Sequence, residues 1–305
     1  MDNASATPAA LVQGRSGGGA ERPFVAIGLV LIALALFSVM DALSKMLAAR
    51  YDSLEIVWGR YLVMIALFAP LLLRDRRALV TRRLDLQLLR GVCMLGSAAF
   101  FIAGLGRLAI ADATAIGFAA PLLVTALSIP LLGEYVGPRR WAAVAAGLLG
   151  VLIVIRPGSG AIGASALLPL ASAACWALGL VVTRHMRNHD KVLTTLFYST
   201  VSGFALSSLA LPFVWARPDA RACAMTALMA ILSAAGQYLL IAGLARGDVS
   251  LIAPFTYSQM IWSTLVGLFV FHTVPTAWTW CGAAVIVGSG IYIAHRERMN
   301  SLRKA

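Results

Sequence analysis

The feature that most constrains this chain is a recurring run of apolar residues, each about as long as a bilayer is thick. A helix needs about 20 mostly apolar residues to cross the hydrocarbon. Such runs recur from Phe24 to Ile293 with only short polar breaks, at roughly 24–47, 54–73, 86–108, 111–132, 138–156, 163–186, 191–215, 222–245, 249–271 and 275–295. A bilayer offers the backbone no water, so each run must close its own hydrogen bonds as a helix. The expected fold is an all-α integral membrane protein with ten transmembrane helices, and no soluble domain fits between the spans. Composition agrees: 60% of the 305 residues are hydrophobic and 12% charged, with a mean hydropathy of +0.84, beyond the range of ordinary soluble domains.

The net charge of +12 sits in short clusters at the ends of the runs, which marks membrane topology and argues against a nucleic-acid partner. With the N-terminus inside, 18 of the 25 Lys and Arg residues fall on the inner side, including the block Arg74, Arg76, Arg77, Arg82, Arg83 and Arg90. Six fall outside, Lys45 among them, and Arg60 lies within the second span. Both termini are therefore expected in the cytoplasm, with the protein in a bacterial inner membrane. Residues 1–23, rich in Ala, Ser and Gly, are expected to be a disordered tail. The run after them is too long for the core of a cleaved signal peptide, so it reads as a retained span. Residues 296–305 form a second, basic tail.

The chain also resembles itself. Sliding it by 138 places Ala115 on Ala253, Gly150 on Gly288 and Ile155 on Ile293. "GLGRLAIADATA" at 104–115 is echoed by "GLARGDVSLIA" at 243–253, and near an offset of 139 Lys45 falls on Arg184. Five spans make an odd number of crossings, so the second copy must insert upside down. Residues 24–158 and 159–295 thus read as two inverted five-helix repeats, the architecture of secondary transporters whose similar bundles rock about a midplane site.

"MDALSK" and "WGRY" in the first two spans, "PLLVTALSIPLLGEYVGPRRWAAVAAGLLGVLIVIRPG" at 121–158 and "LARGDVSLIAPFTYSQMIWSTLVGLFVF" at 244–271 resemble the EamA-like family of the drug/metabolite transporter superfamily. The resemblance covers about residues 24–295. It implies a ten-span permease with a cavity between the halves, lined mainly by spans 1, 3, 4, 6, 8 and 9, moving amino acids, nucleoside-like or vitamin-like metabolites, or zwitterions. The "MDALSK…RY" form resembles a subgroup with riboflavin and S-adenosylmethionine uptake carriers and an exporter of an opine-type metallophore. One departure is His272, where the second half of the family commonly has an acid like Glu134; it puts a side chain type that titrates near neutral pH at that surface.

No catalytic constellation is present. The four histidines, His185, His189, His272 and His295, lie at span ends, and neither a nucleophile elbow nor a P-loop occurs. Cys93, Cys175, Cys223 and Cys281 are scattered singly and imply neither metal nor disulfide. An enzyme, a metal site, a bound cofactor and the use of ATP are all not expected.

Binding residues are sought where spans of the two halves break. Pro121 and Pro130 in span 4 and Pro254 in span 9 can kink that pair, although proline is frequent in membrane helices. At 100° per residue Phe255, Thr256, Ser258, Gln259, Trp262 and Ser263 share a face of span 9, with Tyr257 pointing away. An amide beside aromatic rings suits a flat organic cargo; helix packing is the alternative use. Gln237 and Tyr238 in span 8 and Cys175 and Trp176 in span 6 are set at similar depth. Ser97 and the glycines of span 3 read as packing residues.

The charges are sharper. Asp41 is the one acid well inside a span, where an isolated ion costs about 2.5 to 3.5 kcal/mol. Its candidate partners are Lys45, one turn on, and Arg60, about 9 Å of rise into span 2 and so at matching depth. Two uses stand side by side. Asp41 and Arg60 can latch span 1 to span 2 while Lys45 snorkels to the headgroups, or Asp41 can face the cavity and meet a cation or carry a proton. The expected function is alternating-access transport of a small organic metabolite, with export of an amino-acid-derived or zwitterionic compound preferred, and uptake of a vitamin or nucleoside-like compound such as riboflavin as the alternative. A homodimer is a possible assembly, and a non-transporting receptor or scaffold the remote alternative.

Overall fold

The computed structural model describes residues 23–74, 80–132, 138–157, 162–186, 192–244 and 255–302. Eleven α-helices lie among them, with no strand: α1 Pro23–Ala48, α2 Ser53–Arg74, α3 Leu84–Leu105, α4 Ile110–Gly117, α5 Ala120–Leu132, α6 Pro138–Ile155, α7 Leu167–Met186, α8 Val192–Val214, α9 Ala220–Leu244, α10 Gln259–Phe271 and α11 Ala277–Leu302. Seven described segments are long and apolar enough to cross a bilayer, with α4 and α5 together supplying one, Ile110–Leu131. Three shorter apolar stretches, Trp141–Ile155, Gln259–Phe271 and Ala277–Ile293, supply the other three of the ten expected spans.

Local sequence explains several ends. Pro23 sits in the first turn of α1, where its missing N–H costs nothing. Asp52 accepts the N–H of Leu54 at 2.8 Å and Asp219 that of Ala222 at 2.6 Å, so a carboxylate caps α2 and another caps α9. The Thr276 hydroxyl accepts the N–H of Thr279 at the start of α11.

Packing follows a two-fold pattern. The α1–α9 pair is matched by α7–α3, α10–α1 by α5–α7, and α2–α9 by α8–α3, while α6–α11, α2–α8 and α4–α10 pair each span with its own counterpart. Every one of these pairs takes one helix from each half. The repeats therefore interdigitate and do not stand apart as two separate bundles. Where α6 meets α11 the approach needs glycine: a Cβ on Gly150 would lie 2.9 Å from the carbonyl oxygen of Gly282, the close backbone packing typical of membrane helices. Beside that contact, Leu122, Val144, Val151, Val154 and Ile286 build the largest apolar core.

Candidate functional site

Span 4 is two helices. α4 ends at Gly117, Phe118 and Ala119 form a turn, and α5 starts at Ala120. Pro121 explains the position, because it has no N–H to return to the carbonyl of Gly117. Span 9 breaks in the same way: residues 255–256 are helical, Tyr257 and Ser258 form a turn, and α10 begins at Gln259. The N–H groups of Ser258, Met260 and Ile261 reach back three residues, to Phe255, Tyr257 and Ser258, a locally tightened turn. The two breaks are 139 residues apart, and each is followed by a 13-residue helix. They also touch, with the rings of Phe118 and Tyr257 edge to face at 5.2 Å between centroids. Tyr257 thus points inward, its hydroxyl filling the space over Gly290 of α11. The single-face reading of 255–263 is corrected here, since a helical wheel does not run through a broken helix. Pro254, like Gly133 and Glu134, lies outside the described residues.

Asp41 sits beside this second break. Its side chain is buried, 3% exposed, and lies within reach of the Gln259 amide and of the charge of Arg60. Asp41 and Arg60 do not close to an ion pair: among the described residues the pair within 4 Å is Arg83 with Asp85, at 2.8 Å. The expected latch between spans 1 and 2 is corrected accordingly. Arg60 lies over the ring of Tyr61, 5.6 Å from its centroid. One turn before Asp41, the hydroxyl of Ser38 is buried without a partner among the described residues, and so are the hydroxyl of Ser258 and the indole N–H of Trp262 on either side of Gln259. Buried polar atoms are nearly always paired. Three orphans within a turn of one carboxylate or its amide partner mark a place shaped for something further to bond.

Lys45 does not snorkel outward. Its ammonium donates to the carbonyls of Leu105 at 2.6 Å and Leu108 at 2.5 Å and lies 5.6 Å from the ring centroid of Phe271. The Leu105 carbonyl ends α3, where orphan acceptors and the helix dipole favour a cation, and that of Leu108 lies in the turn that follows. One side chain thereby ties the ends of α1, α3 and α10. Beside it, His272 ends α10 in the left-handed conformation, with φ at 54°.

The remaining expected residues divide. Phe255, Gln259 and Trp262 are half-buried at the second break, and Pro121 follows the first. Trp176 is 41% exposed and Gln237 exposed with no hydrogen bond to a described residue; neither belongs to the buried Asp41 set. Ser97 shares hydrogen bonds with Ser172 across α3 and α7, the packing role expected of it. Arg90 is a residue that sequence reasoning passes over. Counted among the inner loop cations, it lies nearly two turns inside α3, half-buried, donating from Nε to Thr183 Oγ1 at 2.7 Å and from Nη1 to the Ser199 hydroxyl and the Thr195 carbonyl. Its place inside the 86–108 run is the available signal. No group of metal-binding side chains occurs among the described residues.

Comparison with known proteins places the geometry. The profile of the EamA-like transporter family matches residues 24–156 and 163–294, one match for each repeat. A riboflavin transporter of Rhizobium johnstonii is 31% identical over 67% of this chain and 68% of its own length. An S-adenosylmethionine uptake transporter of Rickettsia bellii is 25% identical over 92% of this chain and 97% of its own. A crystal structure sharing 21% identity overlays with a TM-score of 0.61, covering 89% of this chain and 98% of that one, which supports the fold.

Proposed function

This chain belongs to the EamA-like transporter family, and from that premise we propose that it carries a vitamin-like or nucleoside-like metabolite into the cell by alternating access. It is a small-molecule transporter that crosses the membrane many times, and its relatives are transporters rather than enzymes. The names of those relatives favour uptake over the export preferred from sequence. The distribution of Lys and Arg supports an inner-membrane placement with both termini in the cytoplasm and Lys45 at the outer face.

The observation that carries the reading is the buried Asp41 beside Gln259 and the second break, with Ser38, Ser258 and Trp262 holding polar atoms unpaired among the described residues. A cargo bearing hydrogen-bond donors and a flat ring satisfies these groups together: the carboxylate and hydroxyls bond its polar edge, and Trp262 and Phe255 take its face. The broken spans supply the hinges, because a helix interrupted at a turn can swing its 13-residue half with little cost to the rest.

The test is uptake into proteoliposomes of labelled riboflavin and labelled S-adenosylmethionine. With whichever is carried, Gln259→Ala and Trp262→Ala should each raise KM about tenfold, as for the loss of a hydrogen bond or stacking contact worth about 1.4 kcal/mol. Wild-type kinetics in both variants would place the cargo elsewhere.

A further inference from the structure

Three charged side chains lie more than a turn and a half inside a described apolar membrane-crossing segment: Asp41, Arg60 and Arg90. One acid faces two bases, so the interior holds a surplus positive charge where each unpaired ion costs about 2.5 to 3.5 kcal/mol. Arg60 and Arg90 are not remote from each other. Tyr61, buried against Gly203 of α8, lies under the Arg60 guanidinium and within electrostatic reach of Arg90. The three run from the Asp41 depth towards the opposite face of the bundle.

Arg90 is fixed in place without being neutralised. Thr183 of α7 holds its Nε, and Ser199 and Thr195 of α8 hold its Nη1. These acceptors are two hydroxyls and a carbonyl, all without formal charge. Its Nη2 amino group meets no acceptor among the described residues. A guanidinium held through Nε and Nη1 keeps its full charge and the Nη2 N–H groups for a charge-assisted bond to an oxyanion.

We infer that Arg90 and Arg60, on either side of Tyr61, form an anion-binding station on the transport path, and that the cargo carries a carboxylate or phosphate group. This rests on the carrier reading above and narrows it: Asp41 and Gln259 hold the donor-bearing part of the cargo, and the arginines its anionic part. The purely structural use, tying α3 to α7 and α8, leaves Nη2 and the surplus charge without a purpose.

The experiment uses the full chain in nanodiscs of phosphatidylcholine, so that no anionic headgroup competes, with pyrophosphate, riboflavin and riboflavin 5′-phosphate as probes. Pyrophosphate should raise Tm, and the phosphate ester should bind at least about tenfold more tightly than riboflavin. Arg90→Gln should cancel both effects, Arg90→Lys should keep most of them because the charge remains, and Ser199→Ala should keep them while loosening the cross-link. The inference is overturned if pyrophosphate gives no stabilisation, if Arg90→Gln leaves the preference intact, or if the lysine variant loses as much as the glutamine one. Transport of riboflavin with no preference for the ester would sink this inference alone. Anion binding with no compound carried would instead sink the carrier reading.

Discussion

The two broken spans are alike in backbone and unlike in chemistry. Each breaks at the same place in its repeat, Phe118–Ala119 against Tyr257–Ser258, and each continues as 13 residues of helix. Their sequences differ, however: Pro121 follows the first break by two residues, whereas Pro254 stands three residues before the second. The surroundings differ more. At an offset of 139, Asp41 corresponds to Leu180, Arg60 to Ser199, Arg90 to Met229 and Gln259 to Ala120. Pseudo-symmetry thus supplies a hinge in each half, while the mid-span charges Asp41, Arg60 and Arg90 all belong to the first half. The second half answers with neutral partners, Gln259 for Asp41 and Thr183, Thr195 and Ser199 for Arg90. A carrier needs two equivalent hinges to alternate; it needs only one place to hold its cargo.

That asymmetry can be attacked directly. Moving the acid to its symmetry-related place, as Asp41→Asn with Leu180→Asp, should fail to restore transport and leave uptake about a hundredfold down. Losing a charged hydrogen-bonding group costs about 1.5 to 3 kcal/mol, and Leu180 has Ala120, not a glutamine, at the corresponding break. Recovery in the double variant would make the halves interchangeable. Next in size is Gly290→Ala. The added Cβ would collide with the Tyr257 hydroxyl, so the ring must leave the Phe118 contact, lowering stability by about 1 to 3 kcal/mol. Gly288→Ala, with nothing within 4 Å, is the control in a thermal unfolding assay.

Lys45→Met removes two charge-assisted bonds, about 1.5 to 3 kcal/mol in all once resolvation is counted. It should raise labelling by a membrane-impermeant thiol reagent of a cysteine placed at Leu108. Unchanged labelling would mean that these helix ends are held by something else. The smallest effect belongs to Gln237→Ala, expected to change uptake by less than about twofold because the side chain is exposed and unpaired among the described residues. A larger loss would extend the site onto α9.

Legibility in the sequence follows the range of the physics involved. Apolar runs and charge clusters are local, so the ten spans are readable without coordinates. The repeat is readable too, through offsets of 138 and 139. The break at Tyr257–Ser258 is not, because the helical wheel assumes a continuous helix and that assumption sends Tyr257 to the wrong side. Lys45 misleads for a similar reason: snorkelling treats a side chain as meeting lipid, whereas its partners are carbonyls 60 and 63 residues away. Arg90 is hidden by loop counting, which assigns a cation near a span end to the nearest aqueous side. Asp41 stands out because a lone acid in a hydrocarbon-length run must find a partner or face a polar interior. Its Gln259 contact joins residues more than 200 positions apart, and only the fold reveals it.

The most direct measurement compares uptake of labelled riboflavin and S-adenosylmethionine by proteoliposomes holding wild-type protein or Asp41→Asn at matched insertion. The wild type should accumulate at least one of the two, and the variant should lose that uptake about a hundredfold. Uptake by Asp41→Asn at the wild-type rate would contradict a cargo site built around that carboxylate.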